Sequence, residues 1–500
     1  MRYLLGIDIG SYSSKGVLLD ETGRIVATAQ RRHEMRVPGP GLAEHDADAD
    51  WWMGFCVLSR ALLAESKIDP ADIAAVGCSG IGPCLLPVDA EGRPLRAAIL
   101  YGVDTRARRE IAALNEELGE QAIFARCGNA LTTQSVGPKI RWLRDHEPEV
   151  FARTSRIATC STYLVHRLTG RWVIDHYTAS CFTPCYDLHG RCWDAAMTGA
   201  ICPLDWLPEI AWSSDVVGAV DARGAQECGL AAGTPVVAGT VDSAAEAVSV
   251  GVQSPGDLMI MYGTTAFFIQ VTERLRLDPR YWAAPFLFPG TWCVMGGLAT
   301  SGALTQWLRA QVFDLPDDDT AFAAMAGMAE QSPAGAHGLI VLPFFSGERT
   351  PINDPYARGM VFGLTLAHTR ADLYRATIEG IGHAVRHNLD TFAQAGRPTA
   401  VYAVGGGVRN PLWMQAVSDI AGIEQRICRH TTGAALGSAF LAGLGAKVFD
   451  RADIVRINPV EARLSGRPST AARYDRDHSV YLRLYTQTKD LMAELWTDLA

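Results

Sequence analysis

Apolar positions along this chain come in short runs broken by glycine and small hydroxyl residues. Residues 3–9 and 15–19 are β-prone runs separated by Gly10-Ser11-Tyr12-Ser13-Ser14, a pattern that predicts a hairpin with a polar turn. Gly23 makes the next turn into 25–30, and Asp50 is placed to cap an amphipathic helix over 51–65. The device returns in the second half, where Leu258-Met259-Ile260-Met261-Tyr262 runs into Gly263-Thr264-Thr265 and leaves through Ala266-Phe267-Phe268-Ile269-Gln270-Val271. A strand, a Gly/Ser/Thr turn and a second strand in each half predict duplicated domains facing each other across a cleft.

Between the halves, Thr234-Pro235-Val236-Val237-Ala238-Gly239-Thr240-Val241-Asp242 reads as a buried-type strand entering a helix over 243–250. The stretch 251–257, with its Pro and Gly, reads as the crossing, so the domains are expected at 1–246 and 247–500. The second half continues with a helix over 301–313, a strand over 339–343, a long helix within 370–394 and a strand over 401–404. Helices around 411–421 and 434–444 follow, with a final helix over 481–499. Alternating strands and helices predict an α/β architecture.

Size agrees with this division, because 500 residues exceed the roughly 250 to 300 at which a single hydrophobic core stops growing. A hydrophobic share of 48% beside 20% charged residues predicts folding throughout. The net charge of -9 argues against nucleic acid or an anionic membrane as partner, since both need a basic face. Gly6 and Asp8 interrupt the apolar run that a secretory peptide would need, and no stretch of about 18 uncharged apolar residues occurs. Twelve cysteines are scattered from Cys56 to Cys428 without a Cys-x-x-Cys pair, which fits reduced thiols and a cytoplasmic location. Cys181, Cys185 and Cys192, with His176 and His189 nearby, lack the tight paired spacing of structural zinc sites. They read as small buried hydrophobes.

Candidate chemistry gathers at the turns. Gly10, Ser11, Ser13 and Ser14 in the first, and Gly263, Thr264 and Thr265 in the second, let backbone N–H groups and hydroxyls approach an anion closely. Either turn alone is ordinary turn chemistry. The pair, each after an apolar strand and one in each half, points to phosphate. Asp8 lies inside an apolar strand, where a carboxylate is costly to bury without a cation, a donor or solvent. It reads either as a water-mediated divalent-ion ligand or as an Asp bonded to the neighbouring turn. Asp242 ends a buried-type strand at the start of a helix and should project into the cleft at the carboxyl edge of a sheet, where a general base would stand. The other reading is a helix N-cap. In Val404-Gly405-Gly406-Gly407-Val408-Arg409-Asn410-Pro411, three glycines allow a flat ring to lie against backbone, as in an adenine site, or make a tight strand-to-helix connection.

Together these segments resemble the FGGY family of carbohydrate kinases over almost the whole chain. The most specific stretch is Gly347-Glu348-Arg349-Thr350-Pro351-Ile352-Asn353-Asp354-Pro355-Tyr356-Ala357-Arg358-Gly359, followed by Gly363-Leu364, which is similar to the family's second conserved pattern. Residues 6–15, Lys15 included, are similar to its first phosphate motif. Gly263-Thr264-Thr265, joined by Gly302, is similar to its second, and Gly405, Gly406, Gly407 and Asn410 to its adenosine motif. Asp242 falls where the family carries its catalytic Asp. The resemblance implies two actin-like, ribonuclease-H-like domains, the first carrying sugar and base and the second the nucleotide. They would close on ATP and a sugar, with Asp242 taking the proton of the attacking hydroxyl and Asp8 and Asp242 placing Mg²⁺. The implied partners are a small sugar and ATP, with neither nucleic acid nor membrane, and there is room for a homodimer.

Residues 77–80, 95–106 and 400–410 are nearest the xylulokinase branch, which implies D-xylulose as acceptor and D-xylulose 5-phosphate as product. Ribulose, a deoxy-ketose, a tetritol or a sugar acid are the alternative acceptors, and a non-catalytic sugar or nucleotide sensor is the alternative role. Where xylulokinases commonly place a Met-His-Gly that touches the sugar, this chain has Ile81-Gly82-Pro83-Cys84 after Ser79-Gly80. The expected acceptor wall is therefore Gly80, Ile81, Gly82 and Pro83 together with Tyr101, Asp104 and Arg106, in a loop one residue longer before the Asp than the branch has. Asp104 and Arg106 together offer acceptors and forked donors for sugar hydroxyls. Their other reading is a surface ion pair at the start of a helix over 105–118.

Overall fold

A computed structural model describes residues 1–497. In the first half, β1 (Tyr3–Ile9), β2 (Ser13–Asp20) and β3 (Ile25–Arg32) form an antiparallel meander. β4 (Ile73–Gly80) returns parallel to β1, and β5 (Val216–Ala219), β6 (Pro235–Val237) and β7 (Thr240–Val241) complete the sheet in the order β5-β6-β4-β1-β2-β3, with β7 also on β4. Every residue of β1 after Tyr3 is buried, which is why its apolar run is continuous and not alternating.

The second half repeats the plan. β8 (Asp257–Tyr262), β9 (Ala266–Thr272), β10 (Trp282–Pro285) and β11 (Trp292–Leu298) are followed by β12 (Ala400–Val404), β13 (Glu424–Cys428) and β14 (Val460–Ser465). The sheet order is β10-β11-β9-β8-β12-β13-β14. In both halves the first strand of a meander pairs in parallel with a strand reached through a helical crossover, and that strand pairs in parallel with the next.

Two local expectations are corrected. The helix over 51–65 begins earlier, with a wide turn at Ala47–Trp52 leading into α1 (Met53–Ser66). Its cap is Asp46, whose carboxylate accepts from Asp48 and Ala49 N–H; Asp50 instead accepts the Asp46 N–H at 2.8 Å, closing the cap from the other side. The strand over 234–242 breaks into β6 and β7 at Gly239, whose φ of 69° and contact with the Cys78 carbonyl leave no space for a side chain. Asp242 consequently opens α2 (Asp242–Ser249).

Helices fix how the halves meet. α3 (Arg370–Phe392) covers the second sheet, whereas α4 (Ala434–Gly445), from the second half of the chain, lies on β1 and β4 of the first. A side chain at Gly6 would collide with the Ala435 carbonyl, and one at Gly77 with the Ser438 carbonyl. Gly6 is thus a contact surface for a helix, and not part of a phosphate loop. One apolar core joins Leu4, Ala75 and Ala244 to Leu436 and Phe440. The last helix, α5 (Pro468–Thr497), starts well before residue 481, and the expected end at Leu499 lies outside the described residues.

Candidate active site

Strand register assembles the floor of a cleft between the halves. Asp8 stands directly opposite Lys15 on β2 and Ser79 on β4, while Thr240 and Val241 of β7 stand opposite Ser79 and Gly80. Asp8 and Asp242 therefore emerge at the same edge, the carboxyl ends of parallel strands. Asp8 accepts from Ser79 Oγ at 2.8 Å, and Ser79 Oγ in turn accepts from Ser438 Oγ at 2.9 Å.

Burial pushes the Asp8 carboxyl up to about 6, against the lowering effects of the Ser79 hydroxyl and of Lys15. Asp242 is pushed well above the ordinary carboxylate range by burial and then by the charge of Asp8, while the Ser243 N–H on its Oδ1 at 2.7 Å pulls the other way. Glu246, one turn along α2, rises to about 7 by burial and by the charge of Asp8. Sequence reasoning missed Glu246, although its spacing of four from Asp242 on a helix was a usable signal.

A cavity of about 200 Å³ opens above this floor. Asp242, Tyr101, Gly82 and Pro83 line it from the first half, and Thr265, Phe267, Trp282 and Arg349 from the second. In the first turn, Gly10 N–H bonds to Ser13 O at 3.0 Å, and Ser11 Oγ lies 3.5 Å from Tyr101 Oη, which ties the turn to the cavity wall. Ser13 and Lys15 share the Asp8 side of β2. Ser14 does not: opposite Ile9 in register, its side chain is buried against α1, 3.4 Å from His33 Nδ1. Its hydroxyl is withdrawn from the cleft by strand alternation, a correction to its expected place at a phosphate.

In the second turn, Gly263 N–H bonds to Thr265 O at 2.9 Å. Ser301 and Ala303 N–H bond to Thr264 O, and Gly302 N–H to Gly263 O, so Gly302 supports the turn from behind. Thr264 is exposed and Thr265 faces the cavity. Of the three glycines after β12, Gly405 and Gly407 pack on Tyr262, while Gly406 has open space beside it. Asn410 caps the helix Pro411–Ala421, accepting from Trp413 N–H at 3.1 Å and donating to Tyr374 Oη at 3.3 Å. Both ends of its amide are engaged within the fold.

The expected acceptor wall divides. Gly82, Pro83 and Tyr101 line the cavity, but Gly80 is pressed against Cys160, and Ile81 is buried with its N–H on the Ile9 carbonyl. Asp104 and Arg106 do not reach the cavity either. Asp104 is fully buried, accepting from Ala43 N–H at 2.7 Å and from Arg106 Nη2 at 2.7 Å. Arg106 also donates to Glu44 at 2.8 Å, and its guanidinium lies over the Trp142 ring. They form neither a sugar site nor a surface pair but a buried ion-pair network, because their charges satisfy one another beneath the helix Arg108–Leu118.

Residues that sequence reasoning missed complete the cavity. Asn129, Thr132, Gln134, Tyr177, Ser180 and Thr183 enter from the helical region between β4 and β5, where no local pattern marks them. Arg349 lies within the 347–359 stretch but carried no assigned role. Cys181 also lines the cavity, Cys185 is buried, and Cys192 is exposed, so the reading of all three as buried hydrophobes is corrected. His176 Nδ1 lies 2.8 Å from Tyr186 Oη and His189 Nε2 3.0 Å from Ala125 O. Among the described residues no group of three His, Cys, Asp or Glu side chains stands close enough to hold a metal directly, and no helix is long and apolar enough to cross a membrane.

This arrangement has relatives. Residues 3–249 match the N-terminal domain, and residues 258–446 the C-terminal domain, of the FGGY family of carbohydrate kinases. The chain is 32% identical over 499 residues to a xylulose kinase of Escherichia coli (strain K12), covering 98% of this chain and 100% of the relative. It is 30% identical to a glycerol kinase of Nocardia farcinica (strain IFM 10152), covering 97% and 98% respectively. The solved structure of xylulose kinase from Rhodospirillum rubrum aligns with a TM-score of 0.92 at 30% identity, covering 98% of this chain and 100% of that one.

Proposed function

We propose, because the chain belongs to the FGGY family of carbohydrate kinases, that it transfers the γ-phosphoryl group of ATP to D-xylulose, giving D-xylulose 5-phosphate. The observation that carries the mechanism is the position of Asp242, at the edge of the cavity that the second phosphate turn also enters through Thr265. A base there needs geometry more than strength, since it orients the acceptor hydroxyl and takes its proton as the oxygen attacks. Burial and the charge of Asp8 raise its proton affinity, the direction that strengthens a base. The turns at Gly10 and Gly263 supply N–H groups and hydroxyls to the phosphates from opposite domains, and the glycines after β12 take the adenine side.

The charge of Asp8 raises the proton affinity of Asp242 and of Glu246, and Glu246 adds to the effect on Asp242; a divalent cation would relieve that repulsion. Their oxygens are the hard donors Mg²⁺ prefers. Asp8 and Asp242 would hold it there, where it would neutralise phosphate charge. Residues 1–246 would carry acceptor and base and 247–500 the nucleotide. Twelve unpaired cysteines support a reducing, cytoplasmic setting.

A second acceptor reading has its own observation. Gly82 and Pro83 present no imidazole to the cavity, and Asp104 and Arg106 are absent from it, so the wall favours another small polyol as an alternative to D-xylulose. A coupled ADP-release screen over ketoses, polyols and sugar acids tests both readings. Highest kcat/KM on D-xylulose is expected. Preference for another class would replace the acceptor and keep the kinase, whereas ATP binding without turnover on any would favour a sensor.

A further inference from the structure

We propose that Arg349 grips the γ-phosphoryl group during its transfer, acting from the domain opposite the base; this rests on the kinase reading above. Arg349 is half-buried, yet among the described residues no hydrogen bond or ion pair engages its guanidinium. Two other buried guanidinium groups do have carboxylate partners: Arg106 has Asp104 and Glu44, and Arg375 has Glu379. A guanidinium partly withdrawn from water without a carboxylate is costly unless a ligand brings the counter-charge. Burial alone already depresses its proton affinity, with the nearby Tyr101 and Glu348 opposing that shift.

Its location specifies which ligand. Arg349 faces the cavity between Thr265 and Phe267, at the second phosphate turn, and Tyr101 and Asp242, at the acceptor side. Its stem runs beside Gly297, the ladder partner of Phe267 on β11. The backbone on either side is pinned. Glu348 Oε1 accepts from Arg349 N–H and from Ala299 N–H, both at 2.7 Å, while Thr350 Oγ1 accepts from Gly297 N–H at 2.7 Å and donates to Asn388 Oδ1 at 2.7 Å. Ala299 leads directly into the residues whose N–H groups bond to Gly263 and Thr264. Arg349 and the second phosphate turn therefore share one frame of backbone hydrogen bonds, and Arg349 lines the same cavity as Asp242.

The group that passes through this space is the transferring phosphoryl. The bond from the acceptor oxygen to phosphorus forms, the bond from phosphorus to the β-phosphate oxygen breaks with its electron pair leaving on ADP, and the hydroxyl proton goes to Asp242. Charge is spread over three equatorial oxygens in that transition state, and a forked, preorganised cation matches them better than it matches neutral sugar hydroxyls.

The test uses the full-length enzyme with Arg349→Gln and Arg349→Lys, assayed on the best acceptor of the screen. Calorimetry with MgADP, alone and with aluminium fluoride, supplies the second readout. Expected are a fall in kcat of order 10² to 10³ for Arg349→Gln, the usual loss for one such donor, with acceptor KM changed less than about threefold. MgADP should bind as before, and the tightening by aluminium fluoride should be lost. A loss confined to acceptor KM, or unchanged tightening by aluminium fluoride, overturns the proposal. Should Arg349→Gln not fold, Arg349→Lys is judged by the same two outcomes. Failure of the wild-type protein to phosphorylate any acceptor would instead remove the kinase reading, while Arg349 variants matching an active wild type remove only this inference.

Discussion

Two groups of buried and half-buried acids sit in the first half of this protein and behave in opposite ways. On the cleft floor, Asp8, Asp242 and Glu246 crowd together with only Lys15 nearby, and each is pushed towards its neutral form. In the helical region, Asp104 and Glu44 are matched by Arg96 and Arg106. A balanced buried network holds structure in place, and breaking it exposes an uncompensated charge. An unbalanced one is a standing cost that persists where chemistry needs it. The residue type is the same; the count of cations within reach separates the two roles.

The largest expected effect lies on the unbalanced side. Asp242→Asn should lower kcat by a factor of order 10² to 10⁴ and leave ATP binding nearly unchanged, as measured by ADP release and calorimetry. A variant keeping more than about half of wild-type turnover would remove Asp242 from the role of base. Asp104→Asn should do the reverse. Breaking the buried network is expected to cost about 3–5 kcal/mol in a denaturant titration, while the folded enzyme keeps its kcat and KM. Loss of catalysis at unchanged stability would return Asp104 to the acceptor site and dissolve the contrast.

A third acid, Glu348, tests the rule in the opposite domain. Burial raises its carboxyl to about 8, far above the roughly 4.3 of an unfolded glutamate. Between those values the folded chain holds a proton that the unfolded chain has released, so this group's contribution to stability is lost as pH rises from about 4 to 8. Glu348→Gln should flatten that part of the melting-temperature profile; an unchanged slope would mean that the carboxyl is not the source. The smallest effect is expected from Glu246→Gln. Removing this like charge should ease deprotonation of Asp242, so the acid limb of kcat/KM moves down by about one pH unit or less. A limb that moves upward would show that Glu246 does not act on the base through its charge.

Much of the fold was legible because periodicity is local. The twin hairpins around Gly10 and Gly263, the helix Pro411–Ala421 and the alternation of strands and helices all follow from short-range pattern. Asp8, Asp242 and both glycine-rich turns were conspicuous for the same reason, since an acid or a glycine in an apolar run stands out. Ser14 and Gly6 were misplaced because a strand shows alternate residues to opposite sides, and only the neighbours that cover each side decide what those residues do. The π turn at Ala47–Trp52 moved a cap from Asp50 to Asp46 for a reason too fine for pattern: two acids four residues apart share the work.

The amino-acid sequence alone determined the two-domain α/β plan, the two glycine-rich turns, the acid that opens α2 and the family. Those depend on residue type and on spacing along the chain. Only the tertiary structure decided that α4 reaches back onto β1, that Asp104 and Arg106 neutralise each other away from the cavity, and that Arg349, without a carboxylate partner among the described residues, lines the same cavity as Asp242. Each of these turns on which charges and surfaces the fold brings together, and burial gives such meetings their energy without leaving a mark on the local pattern.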